Sequence, residues 1–184
     1  MKPLHLLPVG KVDRELLQFL QVGLEQSLHI PCEILPTALD PAGAFHPERR
    51  QYHSSDILRR MQSFVGDRCW KLLGVSDVDL YIPILTFVFG EAQMSGPCVV
   101  VSAWRLRQEF YSLLPDQDLL QQRLLKESIH EIGHTCGLTH CDNYQCAMAS
   151  SHAVEWIDLK ESSLCPACAE RFAEVVTTSP ACGA

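Results

Sequence analysis

The stretch His130-Glu131-Ile132-Gly133-His134-Thr135-Cys136-Gly137-Leu138-Thr139-His140 decides how this chain is read. Its spacing is H-E-x-x-H-x-x-G-x-x-H. Residues four apart on a helix share a face, so His130 and His134 can direct imidazole nitrogens at one ion. Glu131 reaches toward a water on that ion and not toward the ion itself. Gly137 tolerates the left-handed backbone that ends a helix and turns the chain. That turn can swing His140 back as a third ligand. Three protein ligands leave a fourth position open, as a catalytic zinc needs. A bare H-E-x-x-H can arise by chance on a charged helix, but Gly137 and His140 complete the extended zinc-enzyme pattern.

The residues before the motif support a helix. Pro115 and Asp116 precede Gln117, and residues 117–136 hold no Pro and a single Gly, Gly133. Leu120, Leu124, Glu127 and Glu131 recur at helical spacing, as do Leu125, Ile129 and Ile132. Asp116 and Asp118 suit the positive end of such a helix. Arg123, Lys126 and Glu127 are expected on its solvated side. For Glu127, a role as acceptor behind the ligands is the alternative.

Four cysteines follow His140: Cys141 and Cys146 as C-x4-C, then Cys165 and Cys168 in C-P-A-C. Two close pairs separated by a loop are the sequence form of a tetrahedral thiolate site. Four thiolates fill the coordination sphere, so a zinc there would be structural, and its binding energy would be folding energy for this segment. Tetrahedral sulfur suits iron as well. A redox pair at Cys165 and Cys168 would need a preceding strand that nothing here supplies. Disulfides would need export. The adjoining histidine motif favours structural zinc.

The run H-E-I-G-H-T-C-G-L-T-H-C-D-N-Y-Q-C-A-M, followed by C-P-A-C, resembles the archaemetzincin (archaelysin) family of metzincin metallopeptidases. Leu73 to Tyr81 (L-G-V-S-D-V-D-L-Y) and Phe87 to Ala92 (F-V-F-G-E-A) resemble segments upstream of that family's active-site helix. The likeness runs from about Pro3 to about Phe172. It implies a compact α/β (α+β) domain of the zincin or metzincin kind. Such a domain has a mixed, twisted sheet with packed helices, an active-site helix and a zinc-stabilised C-terminal subdomain. It implies two Zn2+ per chain, one catalytic on His130, His134 and His140 and one structural on Cys141, Cys146, Cys165 and Cys168. Met148 then fits the methionine of a Met-turn beneath the catalytic zinc. Two departures from other metzincins stand out. Cys141 follows the third histidine, where most groups place another marker. Ser150 stands two beyond Met148, so a tyrosine that swings on and off the metal from that place is absent; Tyr144 is nearby in sequence.

Length and composition bound the rest. The chain has 184 residues, enough for one domain with a real core. An N-terminal subdomain is expected over about 1–137, a C-terminal one over 138–176 and a flexible tail over 177–184. Hydrophobic residues make up 47%, which argues against disorder. Met1 to Gly10 is too short an apolar run for a signal peptide, and charged residues from Lys11 to Glu15 follow it. The longest apolar stretch, Leu80 to Gly90, is far too short to cross a bilayer. The expected compartment is the cytoplasm, where nine cysteines read as metal ligands and buried thiols. Cys32, Cys69, Cys98 and Cys136 are expected in the core and Cys182 exposed in the tail. A net charge of −7, with Arg49-Arg50 and Arg59-Arg60 as the basic pairs, disfavours nucleic acid and anionic membrane. The expected partner is a peptide or protein substrate, and the expected state a monomer.

Strands are expected at Leu4 to Val9, Pro31 to Leu35, Trp70 to Val75 and Pro97 to Trp104, with extended runs at Leu80 to Leu85 and Thr86 to Phe89. A helix is expected from Val12 to Leu28, its core side near Leu16, Leu17, Leu20, Val22 and Leu24. Another should run to about Phe64, capped by Ser54 or Ser55. Thr37 to His53 reads as a loop, and a short helix should follow Cys168. Strands alternating with helices point to a sheet with crossover connections. The family resemblance makes Thr86 to Glu91 the candidate edge for pairing with an extended substrate; the Phe87 and Phe89 side chains read as core. His46, His53 and His152 lack ligand spacing, and Asp77 with Asp79 reads as a structural acidic turn. The pocket beside the zinc is expected to involve Ala149 to Leu164.

The chemistry implied is peptide hydrolysis. A zinc on the three histidines lowers the pKa of its water and polarises a carbonyl. Glu131 is the catalytic base, taking the water's proton and delivering it to the leaving amine. Two other classes fit the same residues: a zinc-stabilised peptide-binding module with little hydrolysis, and a zinc amidohydrolase acting on a non-peptide amide.

Overall fold

The computed structural model describes residues 2–178. The elements run β1 (Leu4–Val9), α1 (Arg14–Leu28), β2 (Cys32–Ile34), β3 (Phe45–His46), β4 (Gln51–His53), α2 (Ser54–Met61), β5 (Lys71–Ser76), β6 (Leu80–Tyr81), β7 (Gly90–Ala92), β8 (Cys98–Ser102), α3 (Gln117–Thr135), α4 (Val154–Leu159) and α5 (Pro166–Thr178). The main sheet has the order β2-β1-β5-β8-β7; the first four strands are parallel and β7 is antiparallel to β8 at the edge. This is the mixed α/β architecture expected. A small sheet, β3-β4-β6, lies apart from it.

The central strands are apolar almost throughout because both faces of the sheet are covered. Side chains alternate between faces. Leu4 and Leu6 of β1, Leu73 and Val75 of β5, and Val99 and Val101 of β8 join the cluster that holds α1 and α3. Leu7, Val9, Leu72, Cys98 and Val100 join the opposite cluster, with Ile57, Leu58 and Met61 of α2. Helix α1 begins where Asp13 accepts a hydrogen bond from Glu15 N, at 2.9 Å. It buries Leu16, Leu17, Leu20, Leu24 and Leu28, each contributing about 1.5–3 kcal/mol of apolar burial. Val22, expected near the core side, is exposed; two residues from Leu20 and from Leu24, it falls on the opposite face.

Several local expectations give way to long-range contacts. The loop expected over 37–53 contains the two short strands β3 and β4, too short to show any periodicity. Neither Ser54 nor Ser55 caps α2: its N-cap, His53, makes no side-chain cap bond, and both serine hydroxyls donate to the Glu91 carboxylate. The extended runs at 80–89 reduce to Leu80–Tyr81, and the edge strand begins at Gly90. Carbonyls that a strand would spend on a neighbour are taken by side chains. Arg49 donates to Leu85 O and Thr86 O, at 2.8 and 3.2 Å, and Gln51 donates to Thr86 O at 2.9 Å. Asp77 and Asp79 are structural, as expected, each held by two nitrogens of one arginine, Arg107 and Arg105 respectively.

Helix α3 is the axis of the molecule. Asp116 caps it, accepting from Leu119 N at 2.9 Å. At its far end Lys71 Nζ donates to Thr135 O at 2.8 Å, placing a cation where the helix leaves carbonyls unsatisfied. Gly137 then turns the chain at φ +80°, and Gly137 N and Leu138 N return to the carbonyls of His134 and Gly133. The solvated side expected at Arg123 and Glu127 is not there: both are buried, because α4 and Lys160 cover that face. Arg123 pairs with Asp158 through two nitrogens, at 2.7 Å each.

Residues beyond the turn do not form a separate core. Leu138, Ala147, Met148, Ile157 and Phe172 belong to the same apolar cluster as α1 and α3. Helix α5 begins at Pro166, ahead of Cys168, and runs to Thr178. Residues 177 and 178, assigned to the tail by sequence, therefore continue this helix. Residues 179–184, Cys182 among them, lie outside the described residues. Cys32, Cys69, Cys98 and Cys136 are buried as expected, and burial raises each thiol, that of Cys32 to about 12. No described cysteine is in a disulfide. No helix among the described residues is long and apolar enough to cross a membrane.

Candidate metal centre and cleft

Two donor groups come together beside α3. The ligand atoms of His130, His134 and His140 lie within 4.8 Å of one another, and so do the sulfurs of Cys141, Cys146, Cys165 and Cys168. His130 Nδ1 lies 2.8 Å from Ala147 O, and His134 Nδ1 lies 2.7 Å from Leu138 O. A carbonyl only accepts, so each Nδ1 carries the proton and each Nε2 is left with a lone pair. The two Nε2 atoms are 3.1 Å apart. A tetrahedral zinc with Zn–N arms of about 2.0–2.1 Å separates its nitrogens by about 3.3 Å, so this pair fits one ion. His140 completes the set from beyond the Gly137 turn, its ring 5.3 Å from that of His130 and 5.1 Å from that of His134. Burial, the Lys160 charge and His134 hold His130 down to about 2, and burial lowers His134 and His140 as well. All three imidazoles are thus kept in the neutral form that ligates.

The cysteine group is equally compact. Cys141 Sγ and Cys165 Sγ are 3.8 Å apart, the edge of a tetrahedron with Zn–S arms of about 2.3 Å and far from a disulfide. The backbone N–H of Cys168 and the neighbouring thiols lower Cys165 to about 7, while burial and those neighbours raise Cys168.

Residues 146–148 join the two groups. Cys146 supplies a thiol, Ala147 the carbonyl that fixes His130, and Met148 a sulfur packed against Gly133. A Cβ on Gly133 would run into that sulfur, so the glycine of the motif is there to admit the methionine.

A cleft of about 370 Å³ opens over the histidines. Residues 85–90 form one wall, residues 150–152 line it too, and Glu127, His130, Glu131, His134 and His140 are in its lining. Burial pushes Glu131 well above the usual carboxylate range, the nearby Glu127 adding to the effect. Gly90 makes room for Glu131, since a Cβ there would lie 2.7 Å from Glu131 Cγ and 2.8 Å from Val100 O. Ser150 and His152 line the cleft, whereas Tyr144 lies outside it among Cys141, Trp156 and Leu159. His46 and His53 stay out of the donor groups; His53 pairs with Asp56 at 3.1 Å.

Sequence reasoning missed Lys160 altogether and placed Glu127 in solvent. Lys160 is 2% exposed, and its Nζ reaches Glu127 Oε1 at 3.2 Å, behind His130. Burial raises Glu127, and the Lys160 charge opposes that shift. A lone lysine far along the chain carries no local signal. The signal for Glu127 was its position, one helical turn before Glu131.

The chain resembles known proteins along nearly its whole length. The family model for peptidase family M54 matches residues 15–174. The archaemetzincin of Methanocaldococcus jannaschii is 42% identical over 165 residues, 90% of this chain and 89% of that protein. Among solved structures, a zinc-dependent peptidase from Methanocorpusculum labreanum superposes with a TM-score of 0.84 at 30% identity, covering 92% of this chain and 99% of that one. The archaemetzincin of Archaeoglobus fulgidus, solved with malonate, has a TM-score of 0.79 at 34% identity, with the same coverage.

Proposed function

This chain belongs to peptidase family M54 and is a zinc metallopeptidase, and on that premise we propose that it cleaves peptide bonds at His130, His134 and His140, with Glu131 as general base and then general acid. The observation that carries the reading is the pair of Nε2 lone pairs, 3.1 Å apart and fixed by Ala147 O and Leu138 O, beside a buried carboxylate in one cleft. Zinc held there would lower the pKa of a water and polarise a substrate carbonyl.

The remaining work belongs to side chains and main chain. Glu131, its Cγ seated against Gly90, takes the proton of the attacking water and hands it to the departing amine. Met148 supports the helix beneath the histidines. Cys141, Cys146, Cys165 and Cys168 hold a second, structural zinc that fixes residues 138–178 against the N-terminal part. Substrate lies along β7. Ser102 N donates to Phe89 O and Gln93 N to Cys98 O, so Phe89, Glu91 and Gln93 turn their main chain toward β8. Gly90 and Ala92 then face the open edge, where an extended peptide can pair.

The test compares wild type with Glu131→Gln on a diverse peptide library, with products read by mass spectrometry and zinc counted in both. The variant should keep its zinc and lose turnover by roughly 10²–10⁴-fold. Equal turnover would remove Glu131 as the base; no cleavage by zinc-loaded wild type would favour a peptide-binding module.

A further inference from the structure

The reaction proposed above uses neither Glu127 nor Lys160, yet both are buried beside it. Lys160 Nζ lies 3.2 Å from Glu127 Oε1 and 3.4 Å from His130 Nδ1. The second contact is not a hydrogen bond, because His130 Nδ1 already gives its proton to Ala147 O and has no lone pair for an ammonium. Lys160 therefore fixes one oxygen of Glu127. Glu127 Oε2 has no hydrogen-bond partner among the described residues, and Glu127 lines the cleft. Glu127 stands one helical turn before Glu131, so its Cβ lies within roughly 5–6 Å of the base's. That is the reach of a substrate side chain beside the scissile bond.

We propose that Glu127, held from behind by Lys160, sets the specificity of the cleft, and that it selects substrates whose side chain next to the scissile bond donates a hydrogen bond, with Glu127 Oε2 as acceptor. The proposal rests on the peptidase reading and names its substrate class. A carboxylate only accepts, and Lys160 stands behind it, outside the cleft lining, so the face offered to substrate is an acceptor. An aliphatic side chain would expel water and leave Glu127 Oε2 desolvated and unpaired. An amide, hydroxyl or ammonium satisfies the carboxylate.

The experiment uses two zinc-binding hydroxamates, identical except for the adjacent side chain. One carries a carboxamidomethyl group and the other an isobutyl group of the same shape. Binding to the zinc-loaded protein is measured by calorimetry, so turnover is not needed. The carboxamide should bind about tenfold more tightly. The preference should invert in Glu127→Leu/Lys160→Met, which removes the pair without stranding either charge. Tighter binding of the isobutyl compound by wild type overturns the pocket proposal and leaves the peptidase reading standing. Failure of zinc-loaded wild type to bind either hydroxamate overturns both.

Discussion

Gly90→Ala separates what the fold tolerates from what the reaction tolerates. An added Cβ would meet Glu131 Cγ at 2.7 Å, Val100 O at 2.8 Å and Glu131 Oε1 at 3.0 Å. Comfortable carbon contacts begin near 3.5 Å, so something must move by on the order of 1 Å. Val100 O cannot move cheaply, because β8 is paired on both sides, with β5 and with β7. The Glu131 side chain is the part free to rotate away. The stability cost should be that of overpacking, about 1–3 kcal/mol. For a chain of this length each kcal/mol lowers Tm by about 2–4 °C. Displacing the base by about 1 Å should lower kcat by roughly 10²-fold, far beyond what the stability loss explains. Gly74→Ala is the control: its Cβ would press on Met61 Sδ at 2.7 Å, on the opposite face of the sheet. Both variants should melt earlier and keep their zinc; the Gly90 variant alone should lose kcat per bound zinc. Full turnover in Gly90→Ala would refute the idea that this glycine seats the general base.

Other perturbations probe what surrounds the centre. Lys160→Met strands the Glu127 charge and should destabilise by about 3–5 kcal/mol in urea unfolding, while the double variant Glu127→Leu/Lys160→Met should recover most of that loss; equal losses in the two would show the pair is not coupled. Arg49→Ala releases Leu85 O on the cleft wall and leaves Thr86 O to Gln51 alone, so KM should rise about tenfold with kcat little changed, and a fall in kcat alone would contradict this assignment. Cys165→Ser should bind one zinc fewer per chain and lose hydrogen-exchange protection after residue 140. Its remaining zinc should bind about 10–100-fold more weakly, because the carbonyl that fixes His130 sits beside a cysteine ligand; an unchanged affinity in a chelator competition would argue against that link.

That last link marks how far the sequence could be read. The two donor groups were legible because metal coordination imposes short, fixed spacings on residues of rare chemistry. His130 and His134 are one helical turn apart, and the cysteines come in close pairs. The strands β1, β5 and β8 were legible for a different reason, since burial on both faces leaves an unbroken apolar run. What stayed hidden was made by contacts between distant residues of ordinary type. Glu127 looks like a solvated helix charge until Lys160, thirty-three positions later, is placed against it. Ser54 and Ser55 look like helix caps until Glu91 claims their hydroxyls. Residues 86–89 look like a strand until Arg49 and Gln51 take the carbonyls that would have paired.

The same contrast explains why the cleft has the shape it has. Residues 146–148 serve three purposes in succession, a thiol for one donor group, a carbonyl for His130 and a sulfur against Gly133. Three adjacent residues can do this only if the turn that carries them is held at both ends. Cys141 N binds Met148 O at 3.0 Å, and Ala147 N binds Ser163 O at 2.9 Å, so the turn is fastened to the chain before and after it. Cys141 directly follows His140, so a zinc on the proposed four-cysteine site would anchor the third histidine as well as the first. On the proposed reading, the cysteine after the last histidine would let one turn set the position of two ligands that come from opposite sides of Gly137.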